Sequence, residues 1–511
     1  MKALLMHPDR DFELKPPTSQ SSADLMLDLD MEPLFQAMAG GDPFLHDVVA
    51  GTMLMVVRDI ETIHYRQQIL QDSMAHPEVV RQLYALAVEG IKQERNVWGW
   101  SSPTYPQGTL YRSSEVLTSV VSVLRRMRRI ADEQRGSFSS VGLRRLLSMC
   151  STELNEDYLS RVEQHLKGLQ FRAGVRMSAK LGDGNKGTGY ILLKYDPPKL
   201  RWYQQIRKWI TGLGPHRQVG LTYYVHERDE AGATILGQIK NYGISSVASA
   251  IKQSTDHILG FLCMLRLELA FYIGCLNLHK ELQEVAAPIC FPQLVKGKET
   301  ILAGSGLYDV SLQLRSRSLL IGNDLNAEGK TLVMITGANR GGKSTFLRAV
   351  GLAQLMMQCG MFVAAESFRA TACRAVFTHF KRREDARMKS GKLEEELKRM
   401  SDIVDDLQAG DMVLFNESFS STNEREGSQI AQEIVSALLE MGIKVFYVTH
   451  MHELAKSLYS SGRGSSLFLR AERRESGERT FQMIQGEPLA TSYGADLYRR
   501  IFSPTDEGGI A

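Results

Sequence analysis

Cysteine is scarce and unpatterned in this chain. Six occur among 511 residues, at Cys150, Cys263, Cys275, Cys290, Cys359 and Cys373, and none forms a CxxC pair. That removes the usual ligand spacing of a zinc site and the framework of a disulfide-built secreted domain. Reduced thiols in a cytoplasmic protein are the expectation. Long apolar runs are also missing. The greasiest stretch, "ILGFLCMLRLELAFYIGCLNL", is broken by Arg266 and Glu268, short of the roughly 18 clean residues of a spanning helix. The N-terminus, "MKALLMHPDRDFELKPP", has neither a long apolar core nor a small-residue cleavage site, so no signal peptide is expected. No charge of one sign dominates: 61 Lys and Arg stand against 58 Asp and Glu, a net +3. This excludes a nucleic-acid coat but leaves room for local basic patches. There is no internal repeat and no low-complexity tail.

What is present suits a soluble protein of more than one domain, with 43% hydrophobic and 23% charged residues. The first part reads as helical. Leu45, Val49, Met53, Val56, Ile60 and Ile63 recur at steps of three and four, one helix face. "HPEVVRQLYALAVEGI" reads as a second helix with Pro77 near its start. A turn-rich loop, "GWSSPTYPQG", closes the block near residue 108. "SSEVLTSVVSVLRRMRRIADEQ" and "NEDYLSRVEQHLKGLQF" follow as helices, the latter with a Leu159, Val162, Leu166, Leu169 stripe. The period then shifts. "VRMSAKLGDGNKGTGYILLKYD" predicts two strands around a Gly/Asn/Asp turn, and "PHRQVGLTYYVHERDEAGATILG" another strand pair. Ile251, Ile258, Leu262, Leu265, Leu269 and Tyr272 then mark a long helix over 245–285. Helix out, β tip and helix back make an arm.

From about residue 288 the texture is α/β. "KTLVMIT", "DMVLF" and "KVFYVTH" are short buried strands with helices between them, the rhythm of a parallel sheet. After the first comes "GANRGGKS", residues 337–344, a full match to G-x-x-x-x-G-K-[ST] between a strand and a helix. Gly337, Gly341 and Gly342 let backbone N–H groups converge on phosphate oxygens, and the helix N-terminus adds its dipole. Asn339 belongs to the same loop. Lys343 supplies a cation to the β and γ phosphates, Ser344 a hydroxyl to Mg²⁺, and Thr345 is placed for the α phosphate. ATP with Mg²⁺ is the ligand this predicts.

"DMVLFNESFSSTNEREG", residues 411–427, begins like a metal-holding strand, but Asn416 stands where such ATPases carry Asp. The amide keeps an oxygen and loses a charge, a loss on the order of a few kcal/mol at an effective dielectric near 20. Ser344 and Asn416 are therefore the expected but weakened Mg²⁺ ligands. Glu417 is placed to align an attacking water, and His450, ending "VFYVTH", to sense the γ phosphate. Glu417, His450 and Lys343 form the candidate catalytic set.

These residues resemble the MutS family of DNA mismatch-repair proteins, a branch of the ABC-type ATPases. "TGANRGGKST" at 336–345 is similar to the family's "TGPNMGGKST". "NDL" at 323–325 looks like the segment before that strand, and Glu396 in "SGKLEEELKRMSDIV" matches an invariant family Glu. "NESFSSTNEREG" corresponds to "DEIGRGTSTYDG", "THMHEL" to "THYFEL", and "SYGADLY" from Ser492 to the closing "SYG". The resemblance covers roughly 305–505, and more weakly the helical core around "RDIETIHYRQQILQD" and the arm. It implies an α/β P-loop (ABC-type) ATPase domain at the C-terminus, after a mostly α-helical core and lever region with a small β-rich clamp-like tip. The expected boundaries are 1–110 for the helical core, 111–287 for the levers with a clamp-like insert at about 172–242, and 288–511 for the ATPase. The mismatch-reading N-terminal domain, its Phe-x-Glu wedge and a nuclease-like tail are not expected. The signature loop departs from the family. Phe419-Ser420-Ser421 replace Gly-Arg-Gly, so reach to a dimer partner's γ phosphate is in question, while Thr422 and Asn423 keep polar groups, Asn423 as a nucleotide contact.

Three basic clusters are candidates for DNA: "LRRMRRI" (Arg125, Arg126, Arg128, Arg129), "KYDPPKLRWYQQIRKW", and "FKRREDAR", which its acidic neighbours mark as structural. The second places Arg201, Arg207 and Lys208 among Trp202, Tyr203 and Trp209, where the resemblance sets the clamp, and is the preferred DNA contact. The functional expectation is a dimeric, ATP-dependent, DNA-binding protein that clamps branched or structured duplex in mismatch repair or recombination. The alternative is a hydrolysis-poor subunit pairing with an active MutS-like partner. A non-DNA ABC-type ATPase is the third reading.

Overall fold

The computed structural model describes residues 1–14, 19–97, 105–171, 175–185, 187–193, 226, 228–297, 300–316, 318–382, 391–462, 464–474 and 479–489. They fall into two compact units that share the chain discontinuously. One takes residues 1–3, 82–137 and 145–266; the other takes 4–81, 138–144 and 267–511.

The chain begins with α1 (Gln20–Asp28), α2 (Glu32–Ala39), α3 (Pro43–Leu54), α4 (Ile60–Ala75) and α5 (Pro77–Val97). The stripe from Leu45 to Ile63 is two helices, not one. Asp59 turns extended, φ −73 and ψ 112, and its carboxylate accepts the amides of Glu61 and Thr62. This N-cap starts a new helix where periodicity alone continues the old one. α6 (Pro106–Glu133) begins inside the stretch expected to be loop, with Pro106 at its first position. α7 (Val141–Glu153) and α8 (Glu156–Leu169) follow. Asn155 caps α8 by accepting the Tyr158 amide at 2.8 Å, and Leu159 and Leu166 of its stripe are buried.

β1 (Met177–Leu181) and β2 (Gly187–Leu192) pair antiparallel around the expected turn. The second strand pair does not extend to residue 237. Helix α9 (Glu230–Glu284) has already begun there. Asp229 is the reason: its Oδ1 accepts the Gly232 amide at 2.8 Å, an N-cap that commits the following residues to helix. Residues 215–225 lie outside the described residues. α9 is the one described helix long and apolar enough to cross a membrane, and 72% of its most apolar window is buried.

The remaining elements alternate. They are β3 (Gln293–Leu294), β4 (Leu302–Leu307), α10 (Val310–Ser316), β5 (Asn323–Asn326), β6 (Leu332–Thr336), α11 (Lys343–Cys359), β7 (Ser367–Ala370) and β8 (Val376–Phe380). Then come α12 (Lys392–Asp406), β9 (Met412–Asn416), α13 (Glu424–Glu440), β10 (Lys444–Val448), α14 (His452–Ser460), β11 (Ser466–Arg473) and β12 (Arg479–Gln485). Six strands form one sheet in the order β12-β11-β6-β10-β9-β8. All pairs are parallel except β11 with β12. β6, β8 and β10 are buried along their whole length, and for that reason β6 and β10 read as short apolar runs. A second sheet, β3-β7-β4-β5, is mostly antiparallel and was not foreseen. Its strands are only two to six residues long, too short for a period to show.

The β6, β9 and β10 ends therefore lie side by side, with Val448 opposite both Ile335 and Asn416. Open parallel sheets place ligands outside such carboxyl ends.

Candidate nucleotide site

The loop between β6 and α11 has the backbone its glycines predict. Gly337 sits at φ 115 and Gly342 at φ 90, a region an L side chain rarely adopts. A Cβ at Gly337 would also meet the Ala471 amide nitrogen at 2.8 Å. The loop curls over a cavity of about 500 Å³ lined by Asn339, Arg340, Gly341, Gly342, Lys343, Ser344, Thr345 and Glu417. Lys343 is 5% exposed, and its ammonium donates to the carbonyls of Gly337 and Ala338, both at 2.9 Å. Burial lowers its pKa; the Glu417 charge opposes that and Arg479 adds to it.

The Ser344 hydroxyl donates to Asn416 Oδ1 at 2.9 Å, so the two expected metal ligands are neighbours. Glu417 holds a left-handed φ of 55, and its amide donates to Val448 O at 2.8 Å. This bends the chain so that Asn416 faces Ser344 while Glu417 lines the cavity. The Glu417 carboxyl is held below its ordinary pKa. The neighbouring His450 is the main cause, burial opposes it, and the charges of Lys343 and Lys381 assist. His450 Nδ1 lies 3.9 Å from Glu417 Oε1, and its ring lines a separate cavity of about 180 Å³ that also contains Gly337.

Asn423 stands apart from the residues gathered at the loop. It does not line the cavity: its Oδ1 accepts the Glu426 amide at 2.9 Å and caps α13. The Phe419 ring is fully buried, stacked on His379 with centroids 5.1 Å apart. At φ 59 its backbone keeps a conformation suited to glycine. Glu396 holds the loop, accepting the Phe419 amide at 2.8 Å and the Ser421 hydroxyl at 2.9 Å. His379 Nε2 donates to Glu396 O at 3.0 Å, and the Ser418 hydroxyl meets its Nδ1 at 2.8 Å.

Sequence reasoning missed the apolar wall. Tyr308, Leu319, Leu320, Ile321 and Phe481 line the same cavity, and a flat heterocycle matches such a surface. Asn323 fixes it, donating to Phe481 O at 3.1 Å and accepting the Met483 amide at 2.6 Å. The signal was the "NDL" segment, recognised without a role.

The basic clusters separate clearly. In "LRRMRRI" every arginine is already paired: Arg125 with Glu156 and Glu163, Arg126 with Glu89, Arg128 with Asp132 and Glu156, and Arg129 with Glu133. Those side chains pair with carboxylates on the helices of their own unit. Arg382 of "FKRREDAR" pairs with Asp24. Arg201, Arg207 and Lys208, with the surrounding tryptophans, lie outside the described residues, as does "SYGADLY".

Strand, glycine-rich turn and helix thus meet at the edge of a cavity with one polar and one apolar wall, an α/β site. Comparison with known proteins agrees and narrows it. A family model described as MutS2 N-terminal domain matches residues 58–285, and one described as MutS domain V matches 333–506. The chain belongs to the MutS family. It is 30% identical over 182 residues to "Endonuclease MutS2" of Thermus thermophilus, a match covering 35% of this chain and 24% of that protein. To "DNA mismatch repair protein MutS" of Desulforamulus reducens it is 31% identical over 183 residues, 35% of this chain and 21% of that one. The matched region thus spans about a quarter or less of these relatives.

Proposed function

We propose that this chain is an ABC-type, MutS-like nucleotide-binding protein whose ATP site governs its grip on structured DNA. The cavity that joins Lys343, Ser344 and Thr345 to the apolar wall at Tyr308, Ile321 and Phe481 carries the reading, because it matches a phosphate chain at one end and a base at the other. Gly337, Gly341 and Gly342 cradle the phosphates with backbone N–H groups, and Lys343 turns from two carbonyls to the β and γ oxygens. Glu417 orients the attacking water as a carboxylate, and His450 keeps it ionised.

Mg²⁺ is the metal such sites use, and the donor set here suits it poorly. Mg²⁺ takes carboxylates, phosphates and waters. Ser344 and Asn416 are neutral and bonded to each other, and Glu417 is engaged with His450.

In this reading the helical core at 1–110 and the levers at 111–287 carry the grip. Arg201, Arg207 and Lys208 neutralise DNA phosphates, and two copies or a paralogue form a dimer. One observation favours the second reading, a hydrolysis-poor subunit. Asn416 leaves the site without the strand-end carboxylate, so binding outlasts turnover.

The test is steady-state ATP hydrolysis with and without branched DNA, beside Lys343→Ala and Asn416→Asp. Turnover altered by DNA and dead in Lys343→Ala supports the first reading. Silence that Asn416→Asp restores supports the second. DNA binding absent at low salt, or unchanged by charge reversal at Arg201, Arg207 and Lys208, refutes the DNA assignment.

A further inference from the structure

The charge layout of the cradle departs from that of a metal-dependent nucleotide site in two places that compensate each other. The first is Asn416. Its amide oxygen accepts the Ser344 hydroxyl at 2.9 Å, so the two expected metal ligands carry no formal charge between them. The second is Arg340. It stands in the middle of the phosphate loop, exposed, at φ 61, and lines the same cavity as Lys343 and Ser344. That left-handed backbone is costly for a non-glycine residue, and Arg340 lines the cavity beside Lys343 and Ser344.

A guanidinium there is no neutral filler. Its planar fork of donors takes two phosphate oxygens at once and stays charged at any working pH. Arg479, at the start of β12 and within electrostatic reach of Lys343, adds a third cation. Against these stand few carboxylates. Asp309 lines the cavity but is spent on Arg348 at 2.8 Å, leaving Glu417. A protein that removes a negative charge from the metal's side and adds a positive one to the phosphates' side has replaced part of the cation's work. Mg²⁺ serves a bound triphosphate mainly by neutralising and bridging its β and γ oxygens. Arg340 with Lys343 offers that neutralisation from the chain itself.

We propose that this site binds nucleoside triphosphate without needing Mg²⁺, with Arg340 bridging the terminal phosphates in place of the metal. The proposal rests on the nucleotide reading above and adds its metal requirement. It separates binding from hydrolysis: a nucleotide held by protein cations alone stays bound where the metal is withdrawn. It also gives the neutral Asn416 a reason, since a carboxylate beside Ser344 would repel a metal-free phosphate chain.

The experiment is direct titration of the full chain with ATP by calorimetry, once in excess Mg²⁺ and once in EDTA, for wild type, Arg340→Met, Asn416→Asp and Lys343→Ala. Wild type is expected to bind in EDTA within about 3-fold of its affinity in Mg²⁺. Arg340→Met should lose about 10-fold or more in EDTA and recover much of it in Mg²⁺. Asn416→Asp should show the opposite bias, about 10-fold weaker in EDTA than in Mg²⁺. The proposal is overturned if wild type loses more than about 10-fold on chelation, or if Arg340→Met matches wild type in EDTA. The wild-type ratio needs no variant to fold. Failure of the underlying reading looks different: no ATP bound in either condition, and Lys343→Ala indistinguishable from wild type.

Discussion

The amide of Phe419 donates to the carboxylate of Glu396 at 2.8 Å, across 23 residues of sequence. This bond ties the loop after β9 to α12. The other carboxylate oxygen takes the Ser421 hydroxyl, so Glu396 serves both ends of the short segment that replaces the family's glycines. Glu396→Ala would leave a buried N–H without a partner, a loss of about 1–3 kcal/mol. Glu396→Gln keeps an acceptor for that N–H and should recover most of it. Urea unfolding of the two variants checks the order, and equal losses would count against the bond.

Phe419 gives a reversal of the usual order of substitutions. Truncating a buried phenylalanine to alanine costs about 3–5 kcal/mol. The backbone here is left-handed at φ 59, a strain of about 1–2 kcal/mol for any side chain and none for glycine. Phe419→Gly should therefore be less destabilising than Phe419→Ala, although glycine is ordinarily the worse choice. Melting temperatures of the pair decide it.

How much of this was legible in advance depends on what fixes each part. The phosphate loop was legible because its geometry is local: Gly337, Gly341, Gly342, Lys343 and Ser344 are adjacent in sequence and in space. The buried strands were legible because parallel strands covered on both faces are apolar throughout. The break at Asp59 and the early start of α9 were missed because a single capping carboxylate overrides periodicity. The apolar wall was missed because Tyr308, Ile321 and Phe481 come from three separate stretches. The place of the Phe419 ring was not legible, because the facing residue is His379, on a strand 40 residues earlier, and only the fold brings the rings together. The arginines of "LRRMRRI" read as a patch because their acidic partners lie up to 38 residues away.

Lys343 separates binding from folding. Its ammonium is buried and its pKa is lowered by that burial, so the folded protein gains little from the charge itself. Lys343→Met keeps the apolar stem and should melt close to wild type without nucleotide. With ATP present it should lose the ligand's stabilisation, about 2.7 kcal/mol at a hundredfold excess over Kd. A thermal shift assay reads both, and an unchanged ATP shift would remove Lys343 from the site.

Stability should fall on mild acidification, and His379 contributes to it. Burial, with help from the Arg399 charge, lowers its pKa from 6.5 to about 3. The folded ring stays neutral where the unfolded ring takes a proton. The contribution is full above pH 6.5 and is lost as pH falls from there toward 3, by up to about 1.4 kcal/mol per unit. His7, lowered to about 4 by burial and by Arg66, adds the same sign over a narrower window. His379→Gln should flatten the slope between pH 6 and pH 4 in urea unfolding, an order-of-magnitude window set by those values. A slope equal to wild type would show that His379 does not titrate this way.

Glu417 and His450 make the sharpest kinetic case, because the sign of the effect is fixed by their contact. Glu417 works as a carboxylate, so hydrolysis should fall as pH drops through its pKa. His450, 3.9 Å away, is the main cause of that pKa lying below the ordinary value, while burial pushes the other way. Remove the imidazole and burial is left less opposed: the pKa rises, and the acid limb of the pH–rate profile moves to higher pH. His450→Ala should therefore lose more activity at pH 5.5 than at pH 8, with ATP affinity little changed, a comparison set on either side of the ordinary carboxyl and histidine range. Glu417→Gln should lose about 100-fold or more in rate at every pH and show no acid limb from this group. If His450→Ala slows hydrolysis equally at both pH values, His450 acts on the phosphate rather than through Glu417, and the division of labour between the two side chains is reversed.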